Sequence, residues 1–138
     1  MKSHYDKLEN VRDEAALNLL TDRIMDACCT VQRTMGPGLS EAIYQACLMK
    51  ELELQNIAYG AQVHIPIEYK GHVLKNHLVL DLLVENQVII EVKSVSEFIP
   101  IHEAQLLTYL RVTGRRVGYL VNFNVTLMKN GIRRMRNG

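Results

Sequence analysis

The sequence is poor in cysteine and, in its last quarter, has no acidic residues. Only three cysteines occur in 138 residues: Cys28, Cys29 and Cys47. An odd number, with no secretion signal ahead of it, does not make a disulfide framework. Cys28 and Cys29 are adjacent, so they do not form the two-residue-spaced pair that grips zinc, and buried free thiols are expected. No apolar run approaches the roughly 20 residues that cross a bilayer. The opening residues 1–6 lack the apolar stretch of a signal peptide, so a cytoplasmic protein with no membrane partner is expected. No Gly-rich loop leads into a helix to cradle a nucleotide's phosphates, and neither Ser94 nor Ser96 has a His–Asp relay. His64, His72, His77 and His102 show no metal-ligand spacing.

Beyond Glu103 there is no Asp or Glu, while Arg111, Arg115, Arg116, Lys129, Arg133, Arg134 and Arg136 all lie there. The net charge of +1 hides this asymmetry. It permits a face for a polyanion, and equally a solvated basic C-terminal hairpin. Nearly half the residues are apolar, which predicts a folded core, and the length suits one domain over 1–138. Residues 1–12 are polar and unpatterned, an arm or the frayed start of a helix.

From about residue 13 the apolar spacing is helical: Leu17, Leu20, Ile24, Ala27, Cys28, Val31, Met35. Met35-Gly36-Pro37-Gly38 ends that helix, and a second is predicted from about Ser40 to Asn56. Its apolar set includes Ile43, Tyr44, Cys47, Leu48 and Leu52, and Tyr59-Gly60 breaks it. The period then becomes two. Val63, Ile65, Ile67 and Tyr69 alternate with polar residues, and a longer strand follows over about 72–84. Glu85-Asn86-Gln87 forms a hairpin loop into Val88–Val95. A third helix, about 101–112 after Pro100, and a strand at Val117–Phe123 imply a right-handed parallel crossover. Asn130-Gly131 predicts a tight turn and a small terminal hairpin of Val125–Met128 with Ile132–Met135. The expected fold is α/β: N-terminal helices, a mixed sheet made of an antiparallel meander and a parallel crossover strand, and that hairpin.

Charges interrupt the apolar strands. Asp81 lies in Leu80-Asp81-Leu82-Leu83-Val84, and Glu91 and Lys93 flank Val92. An unpaired buried charge costs several kcal/mol, so such residues need partners or a metal. Strand alternation puts Glu91 and Lys93 on one face. With a loop at 85–87, Asp81 stands opposite Glu91, their Cβ atoms roughly 5 Å apart. Two carboxylates so close favour a shared proton or a cation, and oxygen donors suit Mg²⁺ or Mn²⁺. Lys93 beside them can orient or help deprotonate a water, or steady charge on a phosphate. The structural alternative is an Asp–Lys–Glu ion cluster with no ligand. Glu41 shares a face of the second helix with Tyr44 and Leu48; it is a dipole partner or reaches toward the metal. Gln105 and Tyr109 share a face of the third helix, where Gln105 can meet a phosphate or a metal-bound water, or simply solvent. His102, at the start of that helix, is a substrate contact or a structural residue.

Asp81…Glu91-Val92-Lys93 after a helical Glu41, with Gln105 on the next helix, resembles the PD-(D/E)XK nuclease superfamily. Gly38-Leu39-Ser40-Glu41-Ala42-Ile43-Tyr44 is similar to the signature of its bacterial GxxExxY branch. Tyr69-Lys70-Gly71, the run from His102 to Leu110, and Val117-Gly118 leading to Asn122-Phe123 extend the likeness over about residues 15–135. The resemblance implies divalent-metal-dependent cleavage of phosphodiesters. Asp81 and Glu91 would be metal ligands with the Val92 carbonyl, Lys93 the catalytic lysine, and Glu41 the helix acid. Where members of the branch often carry an Arg two residues before the Asp, this chain has Val79, so one phosphate contact would be lost. A nuclease acting on nucleic acid, DNA ahead of RNA, is the leading expectation, and a homodimer is compatible with it. The rivals are a binding module for nucleic acid or protein that keeps the fold without catalysis, and a subunit that cuts only inside a complex.

Overall fold

The computed structural model describes residues 13–138, and the polar arm expected at 1–12 lies outside the described residues. α1 (Glu14–Met35) starts where Asp13 Oδ1 accepts the Ala16 N–H at 2.7 Å. That side-chain acceptor satisfies one of the four orphan donors of a helix start. α2 (Glu41–Leu54) is capped in the same way by Ser40. β1 (Tyr59–Tyr69), β2 (His72–Val84) and β3 (Val88–Lys93) form the antiparallel meander. α3 (Pro100–Thr113) then crosses over to β4 (Val117–Asn122), which pairs parallel to β3. Pro100 suits the first turn, where no partner for its missing N–H is needed. Gly114 closes α3 in the left-handed conformation at φ 69°. A 3₁₀ turn (Met128–Gly131) leads to β5 (Ile132–Arg136), antiparallel to β4. The sheet order is β1-β2-β3-β4-β5.

The sheet is covered on both faces. Leu17, Leu20, Ile24 and Cys28 of α1, with Tyr44, Leu48 and Leu52 of α2, pack on Val88, Ile90 and Val92. Leu106, Tyr109 and Leu110 of α3 pack on Ile89, Leu120 and Leu83 from the other side. This sandwiching is why β3 and β4 read as continuous apolar runs. Met35 and Ile43, expected on the apolar helix faces, are 43% and 46% exposed. The three cysteines are free, and burial pushes the Cys28 thiol up.

Two expectations need correction. The first strand begins at Tyr59, four residues before its alternation becomes visible, because Tyr59–Ala61 pair with Leu82–Val84. The terminal hairpin has different partners: Val125–Met128 is not a strand, and Ile132–Arg136 pairs with β4. Gly131 is not in a left-handed turn. A Cβ there would stand 2.1 Å from the Asn122 carbonyl oxygen, so glycine permits a close backbone approach.

Candidate active site

β2 and β3 share a short ladder, Leu82 with Ile90, Leu83 with Ile89 and Val84 with Val88. One step further, Asp81 and Glu91 face each other and the regular ladder stops. Each carboxylate takes a backbone donor of the opposite strand instead. Glu91 Oε2 accepts the Asp81 N–H at 2.9 Å, and Asp81 Oδ2 accepts the Val92 N–H at 2.8 Å. The two acids are thus crossed against each other at the end of the shared ladder.

Their environment resists ionisation. Glu91 is only 5% exposed. Burial first, and the Asp81 charge second, push its carboxyl up to about 8, against the opposing pull of the Asp81 N–H and Lys93. Burial also raises Asp81, opposed by the Val92 N–H and Lys93 and helped by Glu41. Lys93 shares a strand face with Glu91 and acts on both acids as the neighbouring positive charge. Glu41, in the first turn of α2, accepts the Ser94 N–H at 3.3 Å and adds negative charge that both acids feel.

Secondary contacts fix the end of β3. Ser94 Oγ donates to the Leu39 carbonyl at 2.5 Å, tying the strand to the approach of α2. The Phe123 N–H donates to the Lys93 carbonyl at 3.1 Å. Buried Asn122 bonds both backbone groups of Val95, at 3.1 and 2.9 Å. Ser94 and Asn122 were not singled out as site residues from the sequence, because their partners are distant carbonyl and amide groups that no spacing reveals. The same holds for Gln45 and Gln62. Gln45 donates to the Asp81 carbonyl at 3.4 Å, and Gln62 donates to Gln45 at 3.2 Å.

The structure separates the remaining sequence candidates. Tyr109 is buried on α3 and faces the acids: after burial, the charges of Glu91 and Asp81 are what raise its phenol. Gln105, one turn earlier, is exposed and lines a groove of about 300 Å³ with Leu78, Ile101 and Tyr109. His102 Nδ1 accepts the Ile99 N–H at 3.2 Å, and its ring meets Phe98 edge-on, so it braces the start of α3. Tyr44 is in the core, stacked on Phe123 at 4.9 Å, with its hydroxyl donating to the Gly36 carbonyl. That burial leaves Tyr44 no path to a substrate, and its part is to anchor the loop before Glu41.

The basic C-terminal third is less free than its composition suggests. Arg115 is fully buried, with its guanidinium on the Asn86 carbonyl and side chain and on the Thr113 carbonyl. Arg116 and Arg136 both pair with Glu14, and Arg133 pairs with Glu103 at 3.2 Å.

Among the described residues no three His, Cys, Asp or Glu side chains converge into a metal-ligating group. The donor chemistry still fits a hard divalent cation. Each of the two acids gives one oxygen to the backbone and retains a second. With Glu91 held at about 8, the pair carries a proton at neutral pH unless another positive charge replaces it.

A family model described as the PD-(D/E)XK nuclease superfamily matches residues 18–135. The chain belongs to the PD-(D/E)XK nuclease superfamily. Its mixed sheet, with helices on both faces and one parallel pair, agrees with that membership. Searches of curated proteins and of solved structures returned no match. Among the described residues no helix is long and apolar enough to cross a membrane. Divalent metal ions are general in this superfamily, and nucleic acid is the substrate that membership implies.

Proposed function

We propose that this chain is a divalent-metal-dependent nuclease that hydrolyses phosphodiester bonds, with Mg²⁺ or Mn²⁺ as its ion and DNA ahead of RNA as its substrate. One observation carries the reading: two crossed carboxylates, the half-buried Asp81 and the buried Glu91, adjoin Lys93 in a chain of this superfamily. A pure scaffold gains little from burying two like charges, which favours an ionic ligand between them. Asp81, Glu91 and the Val92 carbonyl would hold the ion, with Glu41 reaching it through water. When bound, the ion would lower the pKa of a water and neutralise charge on the phosphate. Lys93 would orient the attacking water and steady the charge that develops on the phosphoryl oxygens. Tyr109 would close the apolar side of the site, and Gln105 would contact the substrate backbone from the groove. The assignment to the GxxExxY branch rests on residues 38–44. A homodimer would let two sites cut two strands.

The competing reading, a binding module without catalysis, draws on the crossed carboxylates: both are already occupied by backbone donors. Single- and double-stranded DNA and RNA should be incubated with the protein in Mg²⁺, Mn²⁺ or EDTA. Cleavage that needs metal and falls about a thousandfold in both Asp81→Ala and Lys93→Ala, with the fold retained by circular dichroism, is the expected result. No cleavage of any substrate, with no ion uptake by titration calorimetry, would overturn it and leave the module.

A further inference from the structure

Among the described residues, five that are not glycine have positive φ: Asn56, Gln62, Lys70, Glu85 and Asn86. Four of them lie between elements, in the turns that follow α2, β1 and β2. Gln62, at φ 49°, is the exception and lies inside β1. A left-handed conformation is strained for a residue with a Cβ, and a strand gains nothing from it on its own.

The strain coincides with a change of face. Tyr59 and Ala61 pack toward α1 and α2, whereas Val63 and Ile65 pack toward α3. β2 does the same: Leu82 and Val84 face α1 and α2, while Leu78 and Leu80 face α3. Strict alternation would hold all the odd residues of β1 on one side. Both strands therefore turn over at one rung, and that rung is Gln62 opposite Asp81. The pairing continues on each side of it, Ala61 with Leu82 and Val63 with Leu80. At this rung the Asp81 N–H is directed to the Glu91 carboxylate. The Gln62 amide donates to Gln45 Oε1, and Gln45 Nε2 donates to the Asp81 carbonyl. A chain of amides thus runs from β1 through α2 to the Asp81 carbonyl.

We propose that Gln62 is a positioning residue: its left-handed backbone turns the β1–β2 ribbon over at Asp81, and its amide, acting through Gln45, braces the Asp81 main chain so that the carboxylate meets Val92 and Glu91. The consequence for ion binding rests on the function proposed above; the placement of Asp81 does not. Outer-shell partners of metal-ligating side chains typically tune affinity by about 10- to 100-fold.

Gln62→Gly separates the two parts of the role, since glycine keeps the left-handed backbone without strain and removes the amide. Gln62→Val opposes the backbone as well. Two readouts are needed: Mn²⁺ affinity by titration calorimetry, and exchange of the Val92 amide hydrogen, which reports the grip of the Asp81 carboxylate without any ion. In Gln62→Gly, Mn²⁺ binding should weaken about tenfold, and Val92 exchange should quicken with no loss of melting temperature. Gln62→Val should show both effects more strongly and melt lower. Wild-type affinity and wild-type Val92 exchange in Gln62→Gly would overturn the proposal. If the wild-type protein takes up no Mn²⁺ but Val92 exchange still responds to Gln62→Gly, the positioning role stands and the metal-dependent reading fails.

Discussion

β3 has a buried charge near each end, and the two ends treat it differently. At its start, Arg115 fills the space beside the β2–β3 turn and donates to the Asn86 carbonyl, the Asn86 side chain and the Thr113 carbonyl. At its end, Glu91 and Asp81 each take one backbone donor; the Asp81 charge raises Glu91, and Glu41 raises both. The arginine end is built like a structural plug, with a planar donor fork matched to fixed acceptors. The acidic end keeps negative charge in excess of Lys93, an arrangement that suits an incoming cation more than a closed core. A buried charge therefore has to be judged by its partners before it is assigned to stability or to chemistry.

Removing the plug should have the largest effect on folding. Arg115→Met leaves the acceptors of Asn86 and Thr113 without their donor while roughly keeping the volume. Each buried acceptor left without a donor costs about 1–3 kcal/mol. The urea midpoint should fall accordingly, and any cleavage measured well below the new midpoint should be retained. If the midpoint held and cleavage were lost, the distinction between the two ends would be wrong.

The acidic end should show itself through pH. Glu91 has a folded carboxyl at about 8 against an ordinary value of 4.5, so between those limits the folded chain holds a proton that the unfolded chain has released. Unfolding free energy therefore falls as pH rises through that window, at up to about 1.4 kcal/mol per pH unit for one proton. Below about 4.5 and above about 8 the contribution of Glu91 is flat. The raised Asp81 adds to the slope in the same sense. Denaturant titrations across this range should show the decline without ion, a shallower one in Glu91→Gln, and its reduction in saturating Mn²⁺, which takes the proton's place. A flat profile in the ion-free wild type would mean that the acids are better solvated than their burial implies.

The sequence carried the acidic end and not the arginine end. Asp81, Glu91 and Lys93 were legible because charge inside an apolar strand is rare and because a three-residue loop sets the register opposite. Element types and the sheet's connectivity followed from periodicity and turn residues. Arg115 looked like one more cation in a basic tail, since nothing local says that two loops close around it. The switch of faces at Gln62 was invisible for a related reason: left-handed glutamine has no sequence signal, and the alternation used to place β1 holds only beyond it. Gly131 misled in the opposite way, because Asn130-Gly131 has turn chemistry while the glycine answers to a distant carbonyl.

Arg133 offers the smallest effect and tests the basic tail that the plug and the ion pairs deplete. It lies across the sheet from the acids, paired through Leu120 to the Glu91 position, and its guanidinium sits over the Phe98 ring at 5.6 Å. Its bond to Glu103 is a half-exposed surface pair, worth less than about 1 kcal/mol. Arg133→Ala should therefore barely move the unfolding midpoint. If the tail touches a phosphate backbone, the same variant should raise KM with kcat unchanged, and the log–log slope of affinity against salt should become shallower by about one. A changed midpoint with an unchanged salt slope would make Arg133 a brace between β5 and α3, and would leave the groove beside Gln105 and Tyr109 as the better place to seek substrate contacts.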